Sequence, residues 1–168
     1  MRYYTVMPMP KGSVGLATSP AGLSNVVLMR CSAAEGRRRM ERSFPGGERN
    51  DDLLPSLQRQ LADYFKGNAV RFRVRLDLSA MTPFQREVLS ACADVGYGET
   101  VTYGELARRV RRPKAARAIG GAMARNPVPI VVPCHRVVGC DGRLGGFSAE
   151  HGVAIKQWLL ELERRGKK

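Results

Sequence analysis

The sequence predicts an α+β fold in two small domains, a sheet with a helix over residues 1–78 and a helix-turn-helix half over residues 79–168. Three observations carry this. Short β-like runs broken by Gly, Pro and Asn fill the first half. Two threonine-led capping boxes and a proline-led segment mark short helices in the second. The change of pattern falls near residues 77–81.

Strands are expected over Arg2–Met7, Gly12–Thr18, Leu23–Met29 and Val70–Leu78, where apolar and β-branched residues lie between turn signals. Residues 51–66 place Leu53, Leu54, Leu57, Leu61, Tyr64 and Phe65 at helical spacing, and Gly67 is a natural stop. The arginine-rich stretch Gly36–Asn50, with Gly46 and Gly47, reads as a surface loop. After Ser79, Thr82-Pro83-Phe84-Gln85 opens a helix running to about Asp94, with proline in the first helical position. Thr102-Tyr103-Gly104-Glu105 opens a second, reaching about Val110, and Pro113 opens a third that ends before Asn126-Pro127. Three short helices joined by tight turns, the last rich in basic and small residues, form the pattern of a helix-turn-helix.

Composition narrows the function classes. The 168 residues carry 28 Lys and Arg against 15 Asp and Glu, a net charge of +13, and this points to a polyanionic partner, most commonly nucleic acid. Arg108, Arg109, Arg111, Arg112, Lys114 and Arg117 follow one another without an intervening acid. The irregularly spaced Cys31, Cys92, Cys134 and Cys140 suit neither a disulfide framework nor a paired-CxxC zinc site. With only His135 and His151, a histidine-rich metal centre is hard to build. No apolar run approaches the ~20 residues of a membrane helix, and the N-terminus has no signal-peptide character. The expectation is a cytoplasmic, nucleoid-associated protein that neither spans nor docks to a membrane.

Candidate chemistry centres on Val131-Val132-Pro133-Cys134-His135-Arg136-Val137-Val138. The thiolate is the nucleophilic form of cysteine, and a neighbouring base or cation generates it, so Cys134 beside His135 and Arg136 is the candidate nucleophile. Along a strand, adjacent side chains point to opposite faces, so direct transfer from Cys134 to His135 requires the backbone to bend. The third helix carries almost no bulk: Ala115, Ala116, Ala118, Gly120, Gly121 and Ala122 flank Lys114 and Arg117. Two mid-helix glycines cost about 1 kcal/mol each against alanine. Close approach to something accounts for them, either another helix or a nucleic-acid groove.

The Cys134 octet, together with the segment Lys114 to Pro129, resembles the O6-alkylguanine-DNA alkyltransferases, and Val153 to Glu163 resembles the closing segment of that family. The resemblance is strong from Phe84 to Glu163 and follows only the general plan before that. It implies a ribonuclease H-like N-terminal domain and a winged-helix DNA-binding domain that carries the acceptor cysteine. The implied activity is that of a methylated-DNA–[protein]-cysteine S-methyltransferase. One alkyl group moves irreversibly from O6-alkylguanine, with O4-alkylthymine left open, to Cys134 in a single turnover without a cofactor. Some relatives carry a structural zinc, and the residues to hold it are missing here.

The partner implied is double-stranded DNA, entered from the minor groove by a monomer that flips the alkylated base, with cooperative binding left open. Among the catalytic residues, His135 is implied to act through a water, Glu163 (with Glu161 as fallback) to orient it, Asn126 to tie the helix-turn-helix to the cysteine loop, and Tyr103 to contact the base and rotate the 3′ phosphate. Met123, Pro129, Val137, Phe147 and Ser148 would line the base pocket, where Phe147 stands for the usual tyrosine and lacks its hydroxyl donor. Arg117 would replace the flipped nucleotide in the stack, with Thr102, Tyr103, Lys114, Ala116, Ala118 and Gly120 against the DNA. Arg136 is expected to hold local structure. A damage sensor that binds flipped lesions without reacting, and a regulator in which Cys134 merely packs, are the competing readings.

Overall fold

The computed structural model describes residues 1–145 and 152–166. The chain divides into two compact units, Met1–Leu78 and Ser79 onward.

In the first unit, β1 (Tyr3–Met9), β2 (Gly12–Ser19) and β3 (Gly22–Met29) form an antiparallel meander. Both connections are two-residue turns, and glycine follows each one. A Cβ at Gly12 would lie 2.1 Å from the Met29 carbonyl oxygen, and one at Gly22 would lie 2.4 Å from that of Arg75, so the backbones meet where only glycine fits. The two-residue β4 (Glu48–Arg49) pairs parallel with β1, giving the order β3-β2-β1-β4.

Three expectations need correction here. Much of the predicted 36–50 loop is α1 (Ala33–Ser43), capped by Ser32, whose hydroxyl accepts from the Glu35 amide. It buries only Gly36 and Met40, four residues apart, while Glu35 meets Arg38, Arg39 and Arg42 along the exposed face. The next helix, α2 (Pro55–Phe65), begins at Pro55 rather than Asp51, because Leu54 adopts a left-handed conformation (φ 52°) and proline takes the first helical position. Its Leu57, Leu61, Tyr64 and Phe65 are buried as the spacing requires. Finally, residues 70–78 form no full strand. Leu76 bridges Leu23, and bonds from the Leu23 amide to Arg75 and from the Asp77 amide to Leu23 hold that one point.

The second unit opens with α3 (Pro83–Ala93), where Thr82 and Gln85 cap each other reciprocally as the motif demands. The strand β5 (Val101–Thr102) leads directly into α4 (Tyr103–Arg109), capped by Thr102 and Glu105. The third helix, α5 (Ala116–Ala124), starts three residues later than expected, since Pro113–Ala115 form a turn. The stretch around Cys134 is also corrected. Cys134–Arg136 form a 3-10 turn, and only Val137–Val138 are strand (β6), paired parallel with β5. Pro133 supplies no N–H to a ladder, and the Cys134 amide turns back to the Val132 carbonyl at 2.8 Å. The last element, α6 (Gly152–Gly166), buries Ile155, Lys156, Leu159 and Glu163 along one stripe.

Candidate active site and nucleic-acid interface

The 3-10 turn is the bend that a Cys-His pair needs, since it releases Cys134 and His135 from the alternation of a strand. Cys134 is 2% exposed, and its sulfur accepts a hydrogen bond of 3.0 Å from Asn126 Nδ2. The same amide nitrogen donates to the Val132 carbonyl at 2.9 Å, and Asn126 Oδ1 accepts from the Val128 amide at 3.0 Å. Asn126 thus ties the residues just after α5 to the turn that carries the cysteine.

His135 is fully buried, and its Nε2 lies 2.6 Å from Glu163 Oε1. Arg136 grips the same carboxylate from Nε (3.0 Å to Oε2) and Nη2 (2.9 Å to Oε1), and also donates to the Val95 carbonyl. The Gly98 amide adds a bond to Oε2 at 2.9 Å. Glu163 is therefore the carboxylate that meets His135, whereas Glu161 is half-buried and bonds Gln157.

Electrostatics assign the protons. Burial alone would raise the Glu163 carboxyl, but the bonds from His135 and Arg136 more than offset it and hold it near 2. Burial pushes the His135 imidazole down, against the pull of Glu163, so the ring is neutral at rest. A neutral ring facing an ionised carboxylate donates from Nε2 and keeps its lone pair on Nδ1, the tautomer of a base. Burial pushes the Cys134 thiol up to about 11, with the Asn126 hydrogen bond and the Lys156 charge working in the opposite direction. The resting pair is thus thiol and imidazole, not thiolate and imidazolium.

Tyr103, half-buried at the start of α4, sets its hydroxyl against Gly145, where a Cβ would lie 2.5 Å from that oxygen. Met123, Pro129 and Val137 are buried in this unit. Phe147 and Ser148 lie outside the described residues. On α5, Ile119, Ala122 and Met123 face inward while Arg117 and Ala118 are exposed, as is Lys114 in the turn before it. Ala116, Gly120 and Thr102 are half-buried. Arg117 has no carboxylate partner among the described residues, in contrast to Arg112, which pairs with Glu87 at 3.2 Å.

The helix glycines are not explained by packing. A Cβ at Gly120 would meet nothing closer than Tyr103 Cε1 at 3.9 Å, and one at Gly121 nothing closer than the tip of Arg125 at 3.5 Å. Among the described residues, therefore, crowding by a neighbouring helix does not require glycine at these two positions, although α5 lies against α3 and α4.

The residue that sequence reasoning missed is Lys156, buried beside Tyr103 and bonded to the Val137 carbonyl. The available signal was its place on the apolar stripe of α6 with Ile155, Leu159 and Glu163. Among the described residues no group of His, Cys, Asp or Glu could hold a metal ion, and no helix is long and apolar enough to cross a membrane.

Comparison with known proteins aligns with this geometry. Residues 83–165 match the family model described as 6-O-methylguanine DNA methyltransferase, DNA binding domain. A methylated-DNA–protein-cysteine methyltransferase of Methanosarcina acetivorans is 40% identical over 161 residues, covering 96% of this chain and 97% of that protein. One from Mycolicibacterium paratuberculosis is 39% identical over 96% of this chain and 92% of its own length. Among solved structures, Mycobacterium tuberculosis OGT in complex with DNA superposes with a TM-score of 0.83 at 35% identity, covering 98% of this chain and 94% of that one.

Proposed function

The chain belongs to the methylated-DNA–protein-cysteine methyltransferase family, and on that premise we propose that it repairs O6-alkylguanine in DNA by moving the alkyl group onto Cys134. The observation that carries this reading is the buried array in which Cys134 sits under Asn126 and beside a neutral His135 backed by Glu163 and Arg136. Such an array can take a proton from sulfur without holding it permanently.

The reaction balances as follows. Cys134 gives its proton to His135 Nδ1 through a water; the sulfur bonds the alkyl carbon as the carbon–O6 bond breaks; the electron pair leaves with the base; and the proton returns to it, so guanine departs neutral. Sulfur ends as a thioether, which nothing in the site can cleave, and one molecule therefore repairs one lesion.

DNA is met by the exposed face of α5. The narrow minor groove admits its small residues, Lys114 and Arg117 carry charge to the phosphates and the stack, and open glycine positions let the backbone come close. The target base is flipped because its O6 is out of reach inside the duplex. Tyr103 at the start of α4 meets the phosphate beside the lesion and turns its hydroxyl to the base. Met123, Pro129 and Val137 wall the pocket. We read the first unit as ribonuclease H-like and α3 to α5 with the β5–β6 pair as a winged helix, in a cytoplasmic monomer.

The deciding experiment is intact and peptide mass spectrometry after mixing the protein with a duplex carrying one O6-methylguanine. One added methyl on the Cys134 peptide, absent from Cys134→Ala, is the expected result. An unmodified protein that still prefers the lesion would replace this reading with a damage sensor. Arg117→Ala should lower the repair rate on duplex far more than on single-stranded substrate, and equal effects on both would remove its role in the stack.

A further inference from the structure

Two helices of this chain stop in the same way and differ at one residue. After α2, the Gly67 amide bonds the Tyr64 carbonyl at 2.9 Å and the Asn68 amide bonds that of Asp63 at 3.2 Å. After α4, the Arg111 amide bonds the Arg108 carbonyl at 2.9 Å and the Arg112 amide bonds that of Ala107 at 2.9 Å. Both are the two-bond helix stop whose first residue past the cap turns left-handed. That residue is Gly67 (φ 91°) in one case and Arg111 (φ 57°) in the other. Glycine adopts this conformation freely, whereas a Cβ there crowds the following carbonyl oxygen. An arginine held where glycine would fold more stably points to work done outside the fold.

The surroundings indicate what that work is. Arg111 is exposed and has no ion-pair partner among the described residues. Its neighbour Arg112 is the structural member of the two, bonded to Glu87 at 3.2 Å and lying 5.2 Å over the Phe84 ring. The Ala115 amide bonds the Arg112 carbonyl at 2.9 Å, so the backbone on both sides of Arg111 is fixed. From Leu106 to Cys140 the chain carries no acidic residue, while Arg108, Arg109, Lys114 and Arg117 are all exposed. A cation on a fixed turn, followed and preceded by cations and without a carboxylate of its own, suits a phosphate.

We propose that Arg111 anchors the protein to a backbone phosphate away from the lesion, and that the chain gives up folding stability to keep this anchor. The inference rests on the DNA-repair reading and adds to it a contact that damaged and undamaged duplex share. Helix α4 is 7 residues long, which separates the backbone of Tyr103 from that of Arg111 by about 10 Å. The phosphate given to Arg111 is therefore a different one from that beside the flipped base, and plain duplex offers it equally. Arg117 acts at the lesion, and Arg111 acts wherever the protein rests on DNA. Contacts of this kind set register and hold without reading the bases.

The test compares the full chain with Arg111→Gly, Arg111→Ala and Arg111→Lys, and with Lys66→Ala, which removes an exposed charge from the first unit. Affinity is measured from about 50 to 200 mM salt for a plain duplex and for one carrying O6-methylguanine, and thermal midpoints are taken without DNA. Arg111→Gly should melt about 2–4 °C higher than the parent. It should bind both duplexes about 8-fold more weakly near 100 mM salt, with the slope of log affinity against log salt shallower by about 0.9. Arg111→Ala should lose the same affinity without the gain in stability, and Arg111→Lys should keep the slope. An Arg111→Gly protein with the parent's salt slope overturns the proposal, and Arg111→Ala carries the same test should the glycine variant not fold. An equal loss of slope in Lys66→Ala also overturns it, by assigning the effect to net charge. So does a loss confined to the lesion-bearing duplex, or a glycine variant that melts no higher than the parent. A parent that binds no duplex defeats the DNA-repair reading and this inference with it. A parent that binds and alkylates Cys134, beside an Arg111→Gly protein of equal affinity, defeats this inference alone.

Discussion

The two units differ in what they bury. The first seals Thr5, Ser13 and Thr18, neutral hydroxyls, among aliphatic and aromatic side chains; the second seals Asn126, His135, Arg136, Lys156 and Glu163. Both are folded, so buried charge is no requirement of a domain this small. It is an added burden, and perturbed titratable groups gather where chemistry is done. The first unit shows what the chain builds when only packing matters, and the second shows the departures from that plan that reactivity demands.

The sharpest way to break this contrast is Glu163→Gln. It removes the charge on which Arg136 and His135 both depend, so stability should fall by about 3–5 kcal/mol and the repair rate by ~10² or more, read by denaturant melts and rapid quench. A small effect on both would mean that the buried array is ornamental. Leu61→Ala in the first unit is the counterpart. It should cost about 2–5 kcal/mol while leaving the rate constant below the melting transition unchanged, and a matching loss of rate would erase the division of labour.

Acid offers a third lever. The Glu163 carboxyl lies near 2 in the folded protein against 4.5 for the free group. Its contribution is therefore complete above pH 4.5 and is lost as pH falls towards 2. Urea melts across that range should show the loss in the parent and a flatter profile in Glu163→Gln; parallel profiles would assign the acid sensitivity elsewhere. The smallest expected effect is the most diagnostic of the α5 surface. Gly120→Ala should stabilise the fold by up to ~1 kcal/mol and weaken duplex binding, two shifts of opposite sign. Tighter or unchanged binding would remove the groove argument.

What could be read in advance followed from local rules. The β1 to β3 meander is written in glycines that follow two-residue turns, and α3 and α4 in reciprocal caps. Helix α1 was hidden because only Gly36 and Met40 face inward, so the seven polar residues of the same helix drowned its period. Residues 70–78 alternate like a strand, yet only Leu76 finds a partner. Within the site, Cys134, His135, Asn126 and Glu163 were legible through family motifs, and their convergence depends on a 3-10 turn that an apolar run of valines does not announce. Lys156 escaped because a lysine ordinarily reads as solvent-facing, and only the α6 register reveals that this one is not.

Glu163 closes three circuits at once, accepting from His135, Arg136 and the Gly98 amide. This constrains the mutational routes open to the lineage. Losing the carboxylate alone strands a guanidinium, and losing Arg136 alone strands the carboxylate, so each single step passes through an unstable protein. Replacing both with apolar residues restores a tolerable interior but leaves His135 without an anchor. Descendants that keep the DNA surface and abandon the chemistry are therefore reached most easily by changing Cys134 itself, a residue whose loss strands no charge.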